Sequence, residues 1–243
     1  MADARGTATG MRDFWDARAG ERAHYFVDNR LDYEQPDLDR FWAGGPAALD
    51  LMLDRLGAAI QPGDRVVEIG CGVGRITREL ARRAGSVRAI DVSPLMLELA
   101  REANPSLTNV EWLVGDGRTL PVDDASADVC QSDVVFQHLP SPELTYGYVS
   151  EIGRVLVPGG WAAFQVSNEP AIHARPGLRR RLADGLRAAA GRGPGGQHDP
   201  AWLGSPVDLE ELAAIAGPAG LAVEAIAGAG TQHCHVLVRR TAR

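Results

Sequence analysis

The segment VVEIGCGVGRIT, residues 66–77, constrains this chain more than any other stretch. A short apolar run leads into three glycines, and a helical pattern follows them. A strand, a glycine turn and a helix bring backbone N–H groups and the positive end of a helix dipole to one point. The segment therefore predicts a site for a nucleotide-like ligand at the end of a buried strand.

Strand and helix signals alternate around this segment, which predicts an α/β fold with a doubly wound parallel sheet. Apolar runs predict strands at 65–69, 86–91, 110–114, 127–135 and 161–166. Helical signals lie at 74–84, 94–103, 142–156 and 206–216. Two further strands, 221–227 and 233–240, are separated by too few residues for a crossover helix. They should pair as an antiparallel hairpin and complete a seven-stranded sheet.

Proline marks several predicted helix starts. Serine precedes proline at 93–94, 141–142 and 205–206, and each pair combines an N-cap residue with proline at the first helical position. Pro46 likewise suits the first turn of an amphipathic helix, whose apolar positions run from Leu49 to Ile60.

Composition excludes several classes of protein. The 243 residues are 45% hydrophobic, enough for one globular domain, and the net charge of -7 opposes binding to nucleic acid or anionic lipid. No apolar run approaches the length that crosses a bilayer. Three widely spaced cysteines suit a reducing compartment. We expect a cytoplasmic protein with no nucleic-acid or membrane partner, and the oligomeric state stays open.

Two carboxylates narrow the ligand. Asp91 ends the second strand, where a carboxylate can accept hydrogen bonds from ribose hydroxyls. The dinucleotide fingerprint needs a third glycine at position 75, which is Arg75 in this chain. Glu68, two residues before Gly70, would repel a pyrophosphate but could receive a cationic amino group. These residues favour a nucleoside with a cationic portion over a nicotinamide dinucleotide.

The glycine segment resembles the first motif of the Rossmann-like, class I S-adenosylmethionine-dependent methyltransferases. The similarity covers about residues 60–167 in the order and spacing of that family, through AIDVSPLMLELAREAN, WLVGDGRTLPVDDASADV, VFQHL and RVLVPGGWAAFQV. It implies a Rossmann-like α/β fold, S-adenosylmethionine as cofactor and methyl transfer to a small-molecule acceptor. Oxygen is favoured over nitrogen or carbon as the methylated atom.

The resemblance also implies which residues form the site. Those around the methionine portion are Glu68, Gly70, Cys71, Gly72 and Gly74. Those around the adenosine are Asp91, Val92, Met96, Gly115, Asp116 and Gly117, with Asp91 on the ribose and Asp116 on the adenine amine. Those on the methyl-transfer side are Ser132, Asp133 and Phe136. His138 is the candidate catalytic base, with capping or filling of the next helix start as the alternative.

Two segments outside the common core suggest a covered site. Seven of the fourteen aromatic residues lie between positions 14 and 42, which predicts an N-terminal lid over residues 1–45. Either Tyr25 or Arg30 could reach the methionine carboxylate, although plain packing of an extra helix is the alternative. Residues 46–243 form the predicted methyltransferase domain, with an inserted cap at about 168–205. Candidate cap residues are Arg179, Arg180, Arg181 and Arg187 for an anionic acceptor, and His173, His198 and Trp202 at the rim.

The sequence leaves other interpretations open for the cap, for the HCH segment and for the activity. The arginines of the cap could form a solvated helix face. His233 and His235 flank Cys234, but residues on alternate strand positions with no third ligand do not make a metal site, so no metal is predicted. The fold could also serve a cofactor-binding protein that transfers no methyl group, or a methyltransferase acting on RNA or protein.

Overall fold

The computed structural model of the protein describes residues 4–174, 177–189 and 193–242. Within these ranges the helices are α1 (Ala4–Val27), α2 (Leu38–Leu56), α3 (Thr77–Arg83), α4 (Pro94–Ala103), α5 (Pro142–Val155), α6 (Leu178–Ala189), α7 (Pro200–Leu203) and α8 (Leu209–Ala216). The strands are β1 (Arg65–Ile69), β2 (Ser86–Asp91), β3 (Val110–Val114), β4 (Ala127–Ser132), β5 (Leu156–Val166), β6 (Leu221–Ala227) and β7 (Cys234–Arg240). Short 3₁₀ helices cover Phe136–His138 and Pro170–His173.

The seven strands form one sheet in the order β3-β2-β1-β4-β5-β7-β6. All neighbouring pairs are parallel except those of β7, which runs antiparallel to both β5 and β6. The predicted fold class is therefore confirmed, including the closing hairpin. The chain leaves β1 in one direction and later returns to its other side with β4, so a crevice opens between the carboxyl ends of these two strands.

Helices cover both faces of the sheet because adjacent strand residues point to opposite sides. Val66 packs with α2, α3 and α4 residues, whereas Val67 packs with residues of α5 and α8. The β1 segment is accordingly buried at every position after Arg65. A third, smaller cluster joins α1 to α4 and the glycine turn.

Two predicted helix starts are wrong. Helix α8 begins at Leu209, because the Asp208 side chain accepts from the backbone N–H groups of the first turn. The hydroxyl of Ser205 instead donates to the carbonyl of Leu139, a long-range contact absent from the sequence pattern. Helix α2 begins at Leu38 behind the N-cap Asp37, so that Pro46 lies inside it.

Other boundaries shift for local reasons. Helix α2 ends at Leu56, since Gly57 adopts a left-handed conformation and caps it. Helix α3 starts three residues later than predicted, because the glycine turn extends to Ile76. Strand β4 ends at Ser132, and Val134 lies at a φ of 57° that no strand allows. Strand β5 begins at Leu156, directly after α5.

None of the helices in the described ranges combines the length and apolar character needed to cross a membrane. The three cysteines are buried and free. Over the same ranges, no three His, Cys, Asp or Glu side chains form a group that could hold a metal ion, including the strand that carries His235.

Candidate active site

A cavity opens at the crevice between β1 and β4, with an empty volume of about 990 Å³ including its mouth. The predicted site residues that line it are Glu68, Gly70, Cys71, Gly72, Asp91, Val92, Met96, Asp133 and His138. The structure thus brings together residues from β1, the glycine turn, β2, α4 and the segment after β4.

One end of the cavity is built around Asp91. Its carboxylate accepts from the backbone N–H of Gly72 at 2.9 Å and from that of Ser93 at 2.9 Å. Burial raises the pKa of the Asp91 carboxyl, and these hydrogen bonds oppose the rise. Each carboxylate oxygen retains capacity to accept another hydrogen bond. Val92 and Met96 supply an apolar surface beside it, so this end suits an adenosine.

The glycine turn uses its own N–H groups. Gly70 and Cys71 both donate to the carbonyl of Ile90, at 2.8 and 3.0 Å, and Gly74 donates to Cys71. The N–H of Gly72 is taken by Asp91. A pyrophosphate needs several free backbone donors, and these four are already used. The turn therefore fits a nucleoside without phosphates better than a dinucleotide.

Glu68 is a buried carboxylate in a second region of the cavity, which Asp133 and Arg75 also line and which lies close enough to Asp91 for the two carboxylates to interact. It is 3% exposed and accepts from the hydroxyl of Thr77 at 2.5 Å. Burial raises the pKa of Glu68 to about 7, and the nearby carboxylates of Asp91 and Asp133 add to the rise. A cationic group of a ligand would favour the ionised form.

Asp133 follows β4 and lines the same region. Burial raises the pKa of its carboxyl to about 6, while Arg75 and Arg30 oppose the rise. Its carboxylate accepts no hydrogen bond from the residues that the structure describes. The next residue, Val134, is β-branched and has a φ of 57°. Such a conformation costs about 1–3 kcal/mol and is typical of functional sites. The surrounding structure therefore holds Val134 in a backbone conformation that valine disfavours.

Arg75 lines the cavity, although its position in the sequence argues only against a dinucleotide. It is 5% exposed, and it lines the cavity beside Glu68 and Asp133. The signal that could have found it is a charged residue within the apolar and glycine-rich run from Val73 to Ile76, where burial is expected.

The two lid residues predicted to reach the methionine carboxylate are not among the lining residues. The ring of Tyr25 packs edge-on against Phe26 and Tyr33. The guanidinium of Arg30 donates to both carboxylate oxygens of Asp28, at 2.7 and 2.6 Å, and is largely exposed.

Other predicted residues lie behind the cavity wall or beside it: Gly74, Gly115, Asp116, Gly117, Ser132 and Phe136. The carboxylate of Asp116 is exposed and accepts from Arg118 and Thr119 within its own turn. The hydroxyl of Ser132 donates to the carbonyl of Ile69, and Phe136 stacks on Tyr148. Their roles toward the cofactor stay predictions.

The first helix forms the roof of the cavity. Met11, Trp15, Phe26 and Val27 of α1 all line it. The helix is fastened by Asp16, whose carboxylate accepts from the hydroxyl of Ser93 at 2.5 Å and from the N–H of Leu95 at 3.2 Å. Both partners belong to the start of α4, next to Asp91, so the roof is attached to the adenosine end.

The cap contributes one aromatic side chain to this roof. Trp202 of α7 packs against Phe26, Trp15 and His138, with ring centroids 5.5, 6.3 and 5.3 Å apart. The other predicted cap residues serve elsewhere. His173 bonds to the carbonyl of Leu203 and the hydroxyl of Ser167, and His198 lies 3.3 Å from Asp184. Arg179 and Arg187 are exposed, whereas the side chains of Arg180 and Arg181 lie outside the described part of the chain.

Both ring nitrogens of His138 have partners. Nδ1 lies 2.7 Å from the carbonyl of Trp202, so it carries the proton and donates. Nε2 lies 3.1 Å from the amide nitrogen of Gln137, which donates to it. Burial lowers the pKa of His138 to about 4, and the bond to Trp202 opposes this. The Nε2 lone pair that a general base would use is therefore occupied by Gln137, and the role of His138 as a catalytic base stays a prediction.

Comparisons with known proteins agree with this geometry. A family model described as "Methyltransferase domain" matches residues 67–164. The chain is 34% identical over 106 residues to the malonyl-[acyl-carrier protein] O-methyltransferase of Serratia marcescens, covering 42% of this chain and 38% of the relative. It is 33% identical over 101 residues to the demethylmenaquinone methyltransferase of Tropheryma whipplei (strain Twist), covering 42% and 41%. The matched part thus spans about two fifths of each of these curated relatives.

A solved structure shares the fold over the whole chain. The phosphoethanolamine N-methyltransferase 1 of Haemonchus contortus, in complex with phosphoethanolamine and S-adenosylhomocysteine, matches with a TM-score of 0.68. The match covers 100% of this chain and 50% of that one. Sequence identity is 16%, so the likeness establishes the fold alone.

Proposed function

We propose, from the premise that this chain belongs to the class I S-adenosylmethionine-dependent methyltransferase family, that the protein methylates a small-molecule acceptor. The observation that carries the proposal is the cavity itself. It joins a ribose-type carboxylate, Asp91, to the aromatic side chains of Trp15 and Phe26 in α1, on which Trp202 of α7 packs. A covered site of this kind suits an acceptor that enters whole, rather than a side chain or base presented by a polymer.

S-adenosylmethionine is the cofactor of this family, and the residues present fit it. Asp91 would hold the ribose, and Val92 and Met96 would pack on the adenine. Glu68 and Asp133 offer negative charge to a cationic amino group. The backbone N–H groups of the glycine turn already donate hydrogen bonds within the protein, which is compatible with a ligand that has no phosphates.

The protein's part in the reaction is mainly to position and to exclude water. When bound, S-adenosylmethionine supplies a methyl group already activated by a sulfonium. Trp15 and Phe26 close the cavity above the acceptor end. His138 shapes that wall with its Nδ1 proton fixed on Trp202. Holding reactants in line accounts for a large share of the acceleration in such displacements, so a general base is not required.

The acceptor is proposed as a small hydroxyl or carboxyl compound, with oxygen ahead of nitrogen and carbon. The O-methyltransferase of Serratia marcescens, which acts on malonyl-[acyl-carrier protein] by its name, supports oxygen. The aromatic residues of the roof support an acceptor with a sizeable apolar portion. The predicted lid (residues 1–45) and cap (about 168–205) are proposed to bound the acceptor end.

The function is tested by binding first and by transfer second. Isothermal titration with S-adenosylmethionine, S-adenosylhomocysteine and NAD should show binding of the two sulfur ligands alone. Transfer of tritium from methyl-labelled S-adenosylmethionine is then measured on pools of phenols, carboxylic acids and amines, with bulk tRNA and casein as polymer arms. Asp91→Ala serves as the inactive control.

Transfer to a small-molecule pool by the wild-type protein supports the proposal. Preferred transfer to tRNA or casein at moderate salt would replace the small-molecule acceptor with a polymer. Binding of the sulfur ligands without transfer to any arm would favour a non-enzymatic cofactor-binding protein. If neither sulfur ligand binds, the function proposed for the cavity is wrong.

A further inference from the structure

Arg75 is a buried cation to which the described residues offer no hydrogen-bond acceptor. Its Nε and Nη1 atoms are inaccessible to solvent and donate to no atom of the residues that the structure describes. A guanidinium has five donors, and leaving them unmet inside a protein is costly. The side chain nevertheless lines the cavity. An anionic group of a ligand would satisfy it.

Helix α2 is shaped to admit this arginine. A Cβ atom on Gly45 would lie 2.1 Å from the carbonyl oxygen of Arg75, and one on Gly44 would lie 3.2 Å from its Nη1. Glycine inside a helix costs about 1 kcal/mol relative to alanine, so two in succession need a packing reason. The ring of Phe41, one turn earlier, lies 5.9 Å from the guanidinium. Gly45 therefore lets α2 pack against the backbone of residue 75, and Gly44 leaves room for its guanidinium.

Among the described residues, no carboxylate forms a hydrogen bond with Arg75. Asp28 lies 3.9 Å away, too far for a hydrogen bond, and both of its oxygens already accept from Arg30. The trio of Arg30, Asp28 and Arg75 carries one net positive charge. Asp133 and Glu68, which line the cavity beside Arg75, carry negative charge when ionised, and Asp133 is the carboxylate that raises the pKa of Arg75 most. One anionic and one cationic group, close together on a ligand, would match this arrangement.

We infer that Arg75 binds the carboxylate at the amino-acid end of the cofactor, and that Asp28 and Arg30 position it. The inference rests on the proposed function, because it concerns the same ligand. It replaces the predicted role of Arg30 with an indirect one, exerted through Asp28.

The arrangement also links that carboxylate to the roof. Asp28 directly follows α1, and Val27 lies over the glycine turn, 2.9 Å from where a Cβ on Gly72 would be. A carboxylate on Arg75 would strengthen the charged trio that holds this end of α1. A ligand that has only the adenosine would leave the trio unchanged. The amino-acid end should therefore close the lid, whereas adenosine alone should not.

Ligands that differ only in this end provide the test. Isothermal titration compares S-adenosylhomocysteine with methylthioadenosine, which lacks the amino-acid portion, on the wild-type protein, Arg75→Met and the control Arg101→Met. Arg101 also donates through its guanidinium, to the carbonyl of Trp112, but outside the cavity. We expect Arg75→Met to lose about tenfold or more in affinity for S-adenosylhomocysteine, as for hydrogen bonds to a charged group. Its affinity for methylthioadenosine should change by less than about twofold, which also shows that the variant folds.

The outcomes separate the two proposals. Equal losses for both ligands, or no loss for either, would overturn the role of Arg75 while leaving the proposed function intact. Failure of the wild-type protein to bind either ligand would overturn both. Arg30→Met should show the same ligand selectivity with a smaller loss, and an unchanged affinity for S-adenosylhomocysteine would remove the positioning role.

Lid closure has its own measurement. Trypsin cleavage after Arg40, in the exposed first turn of α2, is followed with each ligand at saturation. S-adenosylhomocysteine should slow cleavage in the wild-type protein, and methylthioadenosine should not. Asp28→Asn should abolish the difference between the ligands. Equal protection by both ligands would contradict the link between the carboxylate and the lid.

Discussion

The two ends of the cavity are built on different principles. At the adenosine end, Asp91 has hydrogen bonds to Gly72 and Ser93, so its geometry is fixed by the protein alone. At the amino-acid end, Arg75 and Asp133 have no hydrogen-bond partners among the described residues. The first end is preorganised, whereas the second is completed by what binds there. Preorganised groups contribute affinity directly, while unpartnered groups make affinity depend on ligand charge and pH.

The largest expected effect tests the preorganised end. Asp91→Ala should lower the affinity for S-adenosylhomocysteine and methylthioadenosine alike, by about 100-fold, because two hydrogen bonds to a charged group are worth about 3 kcal/mol together. Both ligands contain the ribose. Isothermal titration measures the two affinities, and urea unfolding checks that the variant is folded.

Asp128→Ala is the matched control for this change. Asp128 also accepts several hydrogen bonds, from Arg65, but it lies outside the cavity lining. The Asp128→Ala variant should be less stable than the wild-type protein but should bind S-adenosylhomocysteine and methylthioadenosine with unchanged affinity. A loss in Asp91→Ala confined to S-adenosylhomocysteine would show that Asp91 serves the amino-acid end, and the contrast between the two ends would fail.

The residues of the adenosine end are easier to predict from the sequence than those of the amino-acid end, because they lie closer together along the chain. Glu68, Gly70, Gly72 and Asp91 are found because a strand, a tight turn and the next strand's end specify them within one contiguous segment. Arg75 acquires its role only through Gly45 of α2 and Asp28 after α1, which meet it in the folded chain. No local pattern encodes such a contact.

Helix boundaries show the same limit. Ser93 and Ser141 are the N-caps that local chemistry predicts, each before proline at the first helical position. Ser205 precedes proline in the same way, yet its hydroxyl is used by Leu139 and the cap role passes to Asp208. Tertiary contacts decide between two good local candidates. The apolar runs in the sequence predict which segments form the sheet, but they do not predict that β7 lies between β5 and β6.

Ligands that contact the amino-acid end should show an affinity that changes about tenfold with pH, whereas ligands that contact only the adenosine end should not. Glu68 has a pKa of about 7 in the folded protein, above its ordinary value of 4.5. Its protonated form dominates below about pH 7, and a cationic amino group favours the ionised form. Affinity for S-adenosylhomocysteine should therefore rise between pH 6 and pH 8, whereas affinity for methylthioadenosine should stay flat. In Glu68→Gln both should be flat, as followed by titration at the two pH values.

The ligand-free protein should show the opposite trend. Because the folded state binds a proton that the unfolded state has released, stability falls as pH rises from about 4.5 to about 7. The shift corresponds to about 3 kcal/mol, which Glu68→Gln should remove. Asp133 adds a slope of the same sign below about pH 6. Urea unfolding across this range measures the slope, and a wild-type stability that rises with pH would contradict the assignment of Glu68. Glu79→Gln is the control, since its arginine partners lower the pKa of Glu79.

A smaller effect, on the free energy of unfolding, tests whether Val27 of the roof is energetically coupled to Gly72 of the glycine turn. Gly72 has a φ of 52°, and a Cβ there would lie 2.9 Å from Cγ2 of Val27. Gly72→Ala should destabilise the protein by about 1–2 kcal/mol through backbone strain alone, with the contact adding to it. Val27→Ala should relieve only the contact, so the double variant should be more stable than the single losses predict. A double-mutant cycle in urea measures this coupling, and strict additivity would separate the roof from the turn.

The smallest effect on binding is expected at His138, which touches both regions without belonging to either end. Its Nδ1 proton is fixed on the carbonyl of Trp202, and its pKa of about 4 keeps it neutral at pH 6–8. His138→Ala should change both ligand affinities by less than about twofold, yet lower stability by about 1–2 kcal/mol because that carbonyl loses its donor. His138→Asn, whose side-chain amide can donate in the same place, should recover most of the loss in urea unfolding. If His138→Ala instead removed the pH dependence of S-adenosylhomocysteine binding, the titrating group of the amino-acid end would be His138, and Glu68 would lose that role.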